Sequence, residues 1–538
     1  MPYQNFLISN FREGLVQAVD PWLLPNEAFA GMENMYVRRG VLTKRSGVTS
    51  FGQPSGGAAA IRGLFHFNRS SGTADQLLAF TATDLYKYTT GTSWTDVGNI
   101  TSSTNLIWGL QYNKKMYFCD NNTSGRIMSW DGTTLANVTL DTNGDTSNNV
   151  QTALMMFMFK GRMLLLNTYE DGTTRHAQRV RWSQNGDVTV WDSLIPGKGG
   201  FNDAPTNDEI VSAAFVKNTL VVWFENSVWQ LRYTGDPALP FSWQQINYSR
   251  KCKSTFGTTV YDKVVTAVGD ARLLTCDGLD VATLDDKIPD FTYDIDLDYI
   301  SGCYAKRVDR LDQSWLAYPT QPVSTANNKI LGLNYEDDAW FKYAFKDGSD
   351  GTLTMTCFSD WVTAVDKTFG DYVTETFDDL SGVLWGDQAL QSGYPLTMTA
   401  STNGFVYNIL NEEASTDLGD AINFDVPFPR FNPFADQGRG VTIGYIDFLI
   451  TREDDLEFTV EFYADFDSGD VPTLTQTVGS TADFGQKEWV RAYVGLTADV
   501  IQLRIKLSDA QLADASISKA NVRIHAVNIY AKPAGRLS

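Results

Sequence analysis

Residues 294–299 read DIDLDY, and along an extended strand that alternation sets Asp294, Asp296 and Asp298 on one face. Carboxylates side by side raise one another's pKa. A pair split in this way, one protonated and one charged, is what cleavage of a glycosidic bond requires. The plainer reading is a solvent-facing edge strand, where charge discourages sheet-to-sheet association, and it is the one preferred. A second stretch has the opposite sign. ENMYVRRGVLTKRSG (33–47) sets Arg38, Arg39, Lys44 and Arg45 within eight residues, in a chain whose 43 Lys+Arg face 64 Asp+Glu for a net charge of −21. Such a cluster can contact DNA phosphates, it can dock and latch, its cations facing acidic surface of the same chain or of a neighbour, or it can be a purely solvated turn. Docking and latching is the expectation.

Other candidates carry less. His66, His176 and His525 lie far apart, none with a base or ligand partner at motif spacing. No GxSxG, HExxH, GxxxxGK[ST] or GxGxxG occurs in a supporting context. Catalytic, metal and cofactor residues are therefore assigned as none, and no small-molecule substrate is expected. WSQNGDVTVW (182–191) is similar to the Asp-box of sialidases, but its spacing after Ser183 is one residue short and it occurs once. DTNGD (141–145) and DFDSGD (465–470) offer oxygen donors for a hard cation. Neither follows the EF-hand order, and Asp, Asn and Gly are equally the residues of turns. Cys119, Cys252, Cys276, Cys303 and Cys357 form no CxxC pair and are odd in number, which argues against a disulfide framework and a zinc site. Folding in a reducing cytosol is expected. The acidic balance repels nucleic acid over most of the surface.

The elements that must carry these residues read as all-β. Aromatics reach 13%, Gly numbers 43, and apolar stretches are punctuated by Gly, Asn, Asp and Thr. No apolar run is long enough to span a membrane, and the first residues lack the pattern of a secretory signal. Only 26–35 (NEAFAGMENM) reads as a helix, with Asn26 as cap and Phe29, Met32 and Met35 on one side. A four-stretch unit starts at Ile61, Ile107, Leu154, Ile210, Thr258, Ile300 and Leu353. That spacing of roughly 42–56 residues matches the 40–50 of a four-stranded propeller blade. Aromatic pairs late in the units, Tyr88 and Trp94, Trp182 and Trp191, Tyr233 and Trp243, Tyr335 and Trp340, read as packing between blades. Residues 55–411 are thus expected to form a β-propeller of six or seven blades. VLTKRSGVTSF (41–51) is placed to pair with the last blade and close it. Residues 412–538, opening on a polar acidic linker, show five or more alternating strands such as LEFTVEFYADF, the pattern of an antiparallel β-sandwich. Residues 1–54 are too thin to fold alone and are expected to be an arm docked on the propeller.

The opening NFREGLVQAVDPWLLPNEAFAGMENMYVRRGVLTKRSG, followed by a Trp-rich propeller and a sandwich ending VNIYAKPAGR, resembles the tail nozzle or tail-hub proteins of short-tailed bacteriophages, which include packaged-DNA stabilisation proteins. Gly14–Leu15, Leu23–Pro25, Glu27–Ala28, Asn34–Met35, Arg38–Gly40 and Lys44–Gly47 carry the likeness, with weaker echoes at 277–284 and 403–410. The resemblance spans the chain in architecture and about residues 10–50 in sequence. It implies a structural virion protein, not an enzyme, located in the tail and assembled in the host bacterial cytoplasm. It implies a homohexameric ring with portal/adaptor and tail fibre or spike proteins as partners, and double-stranded DNA passing through without sequence-specific binding. A glycan- or receptor-binding propeller module, and after it a propeller glycosidase served by Asp294–Asp298, are the alternatives.

Overall fold

Strands dominate the computed structural model, which describes residues 2–69, 75–142, 149–172, 174–270, 272–321, 324–362, 395–451, 455–465, 471–480 and 486–537. Among these residues seven sheets follow one another along the chain, at 63–99, 108–137, 140–203, 210–247, 259–283, 304–344 and 357–411. Neighbouring strands join through tight turns. Asn113–Lys114 and Lys160–Gly161 take positive φ at both positions (46° and 63°, 49° and 78°), the twist that a two-residue hairpin loop requires. Buried clusters join the first sheet to the second, the second to the third, the third to the fourth and the fourth to the fifth. Ile61, Leu64, Leu77 and Ala79 of the first sheet then pack on Cys357, Trp361, Met398 and Val406 of the seventh. The ring is closed, and the chain is a β-propeller followed by a β-sandwich.

Aromatic rings of different blades meet inside the propeller. Phe65, Trp108, Phe157, Phe215, Tyr304 and Phe358 stand on the first long strand of their sheets, and Phe256 lies three residues before Thr259–Tyr261. Trp108 touches both Phe157 (5.2 Å between centroids) and Phe256 (5.6 Å), although those rings belong to different blades. Phe256 stacks on Tyr304 at 5.2 Å, and Tyr304 meets Phe358 at 5.7 Å. Large rings are the economical way to fill such a space, each burying roughly 150–250 Å².

The sandwich faces a six-stranded sheet against a four-stranded one. Its long final strand, Arg523–Arg536, pairs with Arg439–Thr451 along one edge. Along its other edge it takes Gln4–Ile8 and the end of Val41–Lys44, both from the start of the chain. The second sheet runs Asp425–Phe431, Ile501–Lys506, Leu456–Ala464, Leu474–Ser480. Leu456, Phe458, Val460 and Phe462 alternate into the shared core as the sequence indicates, with Phe458 edge-on to Phe448 at 5.8 Å.

Several expectations are corrected. Residues 26–35 are not helical. Ala28–Phe29 is a short strand paired with Gly14–Leu15, and the N–H groups of Ala30, Glu33 and Asn34 donate to Pro427, Asp425 and Lys342 carbonyls. Long-range partners outbid the local pattern, and Asn34 sits at φ 58°, outside helical backbone. DIDLDY is not a strand either: Phe291–Asp294 is a single helical turn, and Leu297–Gly302 is a 3₁₀ turn capped by the Asp296 side chain. Residues 1–54 supply strands to the sixth and seventh sheets of the propeller and, beyond the docking expected, to the sandwich as well. Within 41–51 only Gly47–Ser50 pairs with the last blade, antiparallel to Val406–Asn411, whereas Val41–Lys44 belongs to the sandwich. Residues 143–145 of DTNGD and 466–470 of DFDSGD lie outside the described residues.

Candidate functional site

The four clustered cations diverge because Met35–Arg38 and Val41–Lys44 form a hairpin whose turn is Arg39–Gly40. Arg45, just past the hairpin, is interior. Its Nη1 and Nη2 donate to the two carboxylate oxygens of Asp417 at 2.8 and 2.5 Å. Nε donates to Asn34 Oδ1 at 2.8 Å, and the remaining donors reach the carbonyls of Ser46 (3.1 Å) and Ala344 (2.5 Å). All five guanidinium donors are thereby satisfied, over the face of the Phe345 ring at 4.1 Å. The Arg45 and Asp417 side chains are 1% and 0% exposed. Such a pair stabilises little as a whole, yet losing one partner strands a buried charge at roughly 3–5 kcal/mol.

Lys44 is also buried, its Nζ donating to the carbonyls of Ser518 (2.6 Å) and Ala520 (3.2 Å) at the end of the short helix Ala515–Lys519. Lys44 and Arg45 are thus held by groups of the same chain, Arg45 by a carboxylate in the manner of a latch. Their partners lie within the chain. Arg38 is half-buried: Nη2 donates to the Arg310 carbonyl at 2.9 Å, and Nε has no partner among the described residues. Arg39 is exposed, its backbone N–H donating to the Asp337 carboxylate at 3.0 Å.

Arg38 and Arg39 open onto a cleft of about 730 Å³ where hairpin, sandwich and the segment after the seventh blade meet. Lys519 and Arg523 add charge from the sandwich, while Glu412 and Glu413 face them from the segment after the last blade. Glu412 accepts from Arg310 at 2.9 Å. Among the described residues the side chains of Arg39, Lys519 and Arg523 have no carboxylate partner, the Asp337 bond to Arg39 being to its backbone N–H. His525, on the cleft wall, bonds Thr451 Oγ1 through Nε2 at 2.7 Å. Burial lowers its pKa, helped by the Lys487 and Arg523 charges. The cleft is thus an excess of positive charge in an acidic chain, suited to an anionic group. Lys519 and Arg523 escaped sequence reasoning because no motif marks them; they reach the cleft only through the fold.

The other sequence candidates stay apart. Burial opposes ionisation of Asp294, but Lys342 Nζ at 2.7 Å and the Tyr318 hydroxyl at 2.9 Å prevail and hold its pKa below the usual value. Asp296 accepts from the Asp298 N–H at 3.1 Å. The three carboxylates thus face different surroundings instead of one shared site. In the Asp-box-like segment, Asp187 accepts from the N–H (2.9 Å) and hydroxyl (2.6 Å) of Thr189, a local turn. His66 pairs with Asp75 at 3.0 Å. All five cysteines are buried, and burial pushes the thiols of Cys252, Cys303 and Cys357 up to about 12, where thiolate chemistry is suppressed.

No protein family matches the chain in sequence, and no curated protein does. Solved structures with a similar course include Saccharomyces cerevisiae Sqt1, at 9% identity and TM-score 0.35, over 68% of this chain and 100% of that one. An exo-beta-1,3-galactanase from Phanerochaete chrysosporium is similar at 9% identity and TM-score 0.26, over 85% and 100%. PorZ, a surface component of the type-IX secretion system of Porphyromonas gingivalis, is similar at 8% and TM-score 0.36, over 69% of this chain and 39% of its own.

Proposed function

We propose that this protein is a structural component of a short phage tail, a nozzle or hub subunit that docks below a portal or adaptor and forms, as a ring of copies, the channel for DNA. The observation that carries the reading is a coincidence of residues. Among the positions that carry the likeness to tail-nozzle proteins, Gly14 and Gly47 set opening strands against the sixth and seventh blades, and Asn34 and Arg45 tie the sixth blade to the segment that leads from the last blade into the sandwich. A side chain at Gly14 would meet Ala339 at 2.8 Å, and one at Gly47 would collide with the Thr416 carbonyl. A body riveted in this way suits a part that bears pressure.

Two further features support it. Aromatic rings from different blades meet inside the propeller, so the conduit is placed between copies, as in a ring. The net charge of −21 repels phosphates and lets a duplex slide, since tight contact needs cations. The fibre or spike and adaptor partners belong to the same proposal, as does location in the virion tail. Light scattering and negative-stain microscopy of the purified protein, with immunolabelling of particles, test it. A ring of about six copies or a tail-tip label is expected; a monomer absent from every particle would refute it.

A receptor- or glycan-binding role is favoured by a different observation. On the outer sandwich sheet Tyr493 is 68% and Trp489 49% exposed. A glycan-binding screen with Trp489→Ala and Tyr493→Ala as controls tests that reading.

A further inference from the structure

The sequence offers two charged stretches of opposite sign, and the fold sets them at opposite ends of the sixth blade. In that blade Gln313–Tyr318 runs from the turn bearing Arg310 and Leu311, beside the cationic cleft, to the end where Asp294 meets Tyr318. At that far end Thr320 bridges Ile295, and Asp296 donates its N–H to Pro319. There residues 290–299 form a ridge on the surface. Phe291, Ile295 and Ile300 anchor it in the core. Asp290 and Asp298 project into solvent, and beside them Tyr293 is 79%, Leu297 47% and Tyr299 42% exposed.

We infer that the cationic cleft of one copy receives the acidic, tyrosine-bearing ridge 290–299 of the next. This rests on the ring reading above and specifies its contact. Cleft and ridge are different surfaces, so the contact is head-to-tail and generates a ring if its rotation closes. Charge is complementary: Arg38, Arg39, Lys519 and Arg523 face Asp290 and Asp298. Guanidinium groups take carboxylates bidentately and stack on aromatic rings, and Arg and Tyr are enriched among the residues that carry interface energy. A duplex is a poorer occupant, because a cleft of about 730 Å³ within an acidic surface admits a short ridge, not a rod.

The test is charge exchange in the full chain. Arg39→Glu/Arg523→Glu alters the cleft and Asp290→Lys/Asp298→Lys the ridge; no described side-chain bond depends on these groups, and unfolding midpoints verify folding. Sedimentation at 0.15 and 1 M salt reads self-association. Each double variant is expected to weaken it at least tenfold, high salt to mimic the loss, and the four-fold variant to recover most of it. Rings that persist in either double variant overturn the inference while leaving the ring reading intact. If the wild type stays monomeric, a labelled peptide of residues 288–300 is titrated into it. Binding that Arg39→Glu/Arg523→Glu abolishes supports the contact. No binding at millimolar peptide, or displacement of the peptide by a short DNA duplex, refutes it. Absence from every particle, by contrast, defeats the tail reading itself.

Discussion

Arg45 shows how one side chain can hold three parts of a chain together. Its donors reach Asn34 in the opening segment, Ala344 in the sixth blade and Asp417 beyond the seventh. Asn34 completes the joint, since its Oδ1 also accepts from the Ala344 N–H at 2.9 Å and its Nδ2 donates to the Asn423 carbonyl at 2.6 Å. Lysine has no fork to satisfy that geometry. Arg45→Met is therefore expected to cost about 3–5 kcal/mol, because it leaves Asp417 buried and uncompensated. Arg45→Met/Asp417→Leu should recover most of that loss, and Arg39→Ala should stay within about 0.5 kcal/mol as an exposed substitution. Urea midpoints of the three variants check the ranking; equal effects of Arg45→Met and Arg39→Ala would sink it. The sequence displayed these cations as one cluster because they are adjacent in it. It concealed that two are interior, since the partner of Arg45 lies 372 residues away and burial is a property of the fold.

At the scale of elements, alternation and turn residues made the blades legible. The units read from sequence at Ile210, Thr258 and Leu353 correspond to strands that begin at Ile210, Thr259 and Cys357. Residues 26–35 and 294–299 misled because short segments with few neighbours of their own follow tertiary partners over local propensity. Within the third blade, Glu170 is held by Arg181 (2.7 and 3.0 Å) and Arg179 (3.0 Å), with the Thr168 hydroxyl at 2.7 Å. Burial works against its charge, but the two arginines overcome this and lower its pKa. A carboxylate depressed in the folded state contributes stability that is present above its unfolded pKa, about 4.3. That stability is lost as pH falls through the folded value. Glu170→Gln should thus cost about 3–5 kcal/mol at pH 7, and the gap to wild type should narrow below about pH 4 in thermal melts. A gap that is constant with pH would show that charge is not the source. The closing strand makes a steric prediction. Gly47→Ala collides with the Thr416 backbone, whereas Gly57 has open space around it. Gly47→Ala should destabilise by several kcal/mol, as strained backbone contacts do, and Gly57→Ala hardly at all.

For the whole molecule, what matters is that propeller and sandwich share one core. Phe11 and Phe29 of the opening segment pack on Phe428 of the sandwich at 6.3 and 4.9 Å. The same buried cluster takes in Trp315 and Tyr343 of the sixth blade, Ile409 of the seventh and Phe448 of the sandwich. The opening strands find partners in the last two blades and at the far end of the chain, which no composition shift could reveal. Two domains on a linker would melt separately, each with its own cooperative transition. A shared core couples them, since the opening segment cannot leave one without exposing apolar surface in both. Calorimetry should therefore show sandwich and blades six and seven unfolding in one transition. Phe29→Ala, at about 3–5 kcal/mol for a buried phenyl ring, should shift that transition downward as a unit. Two separated peaks, with only one moved by Phe29→Ala, would mean that the opening segment belongs to a single domain and that the joint is not mechanically continuous. One moving peak would mean that force applied at the sandwich reaches the propeller through covalent strands and packed side chains, the property a pressure-bearing ring requires of each subunit.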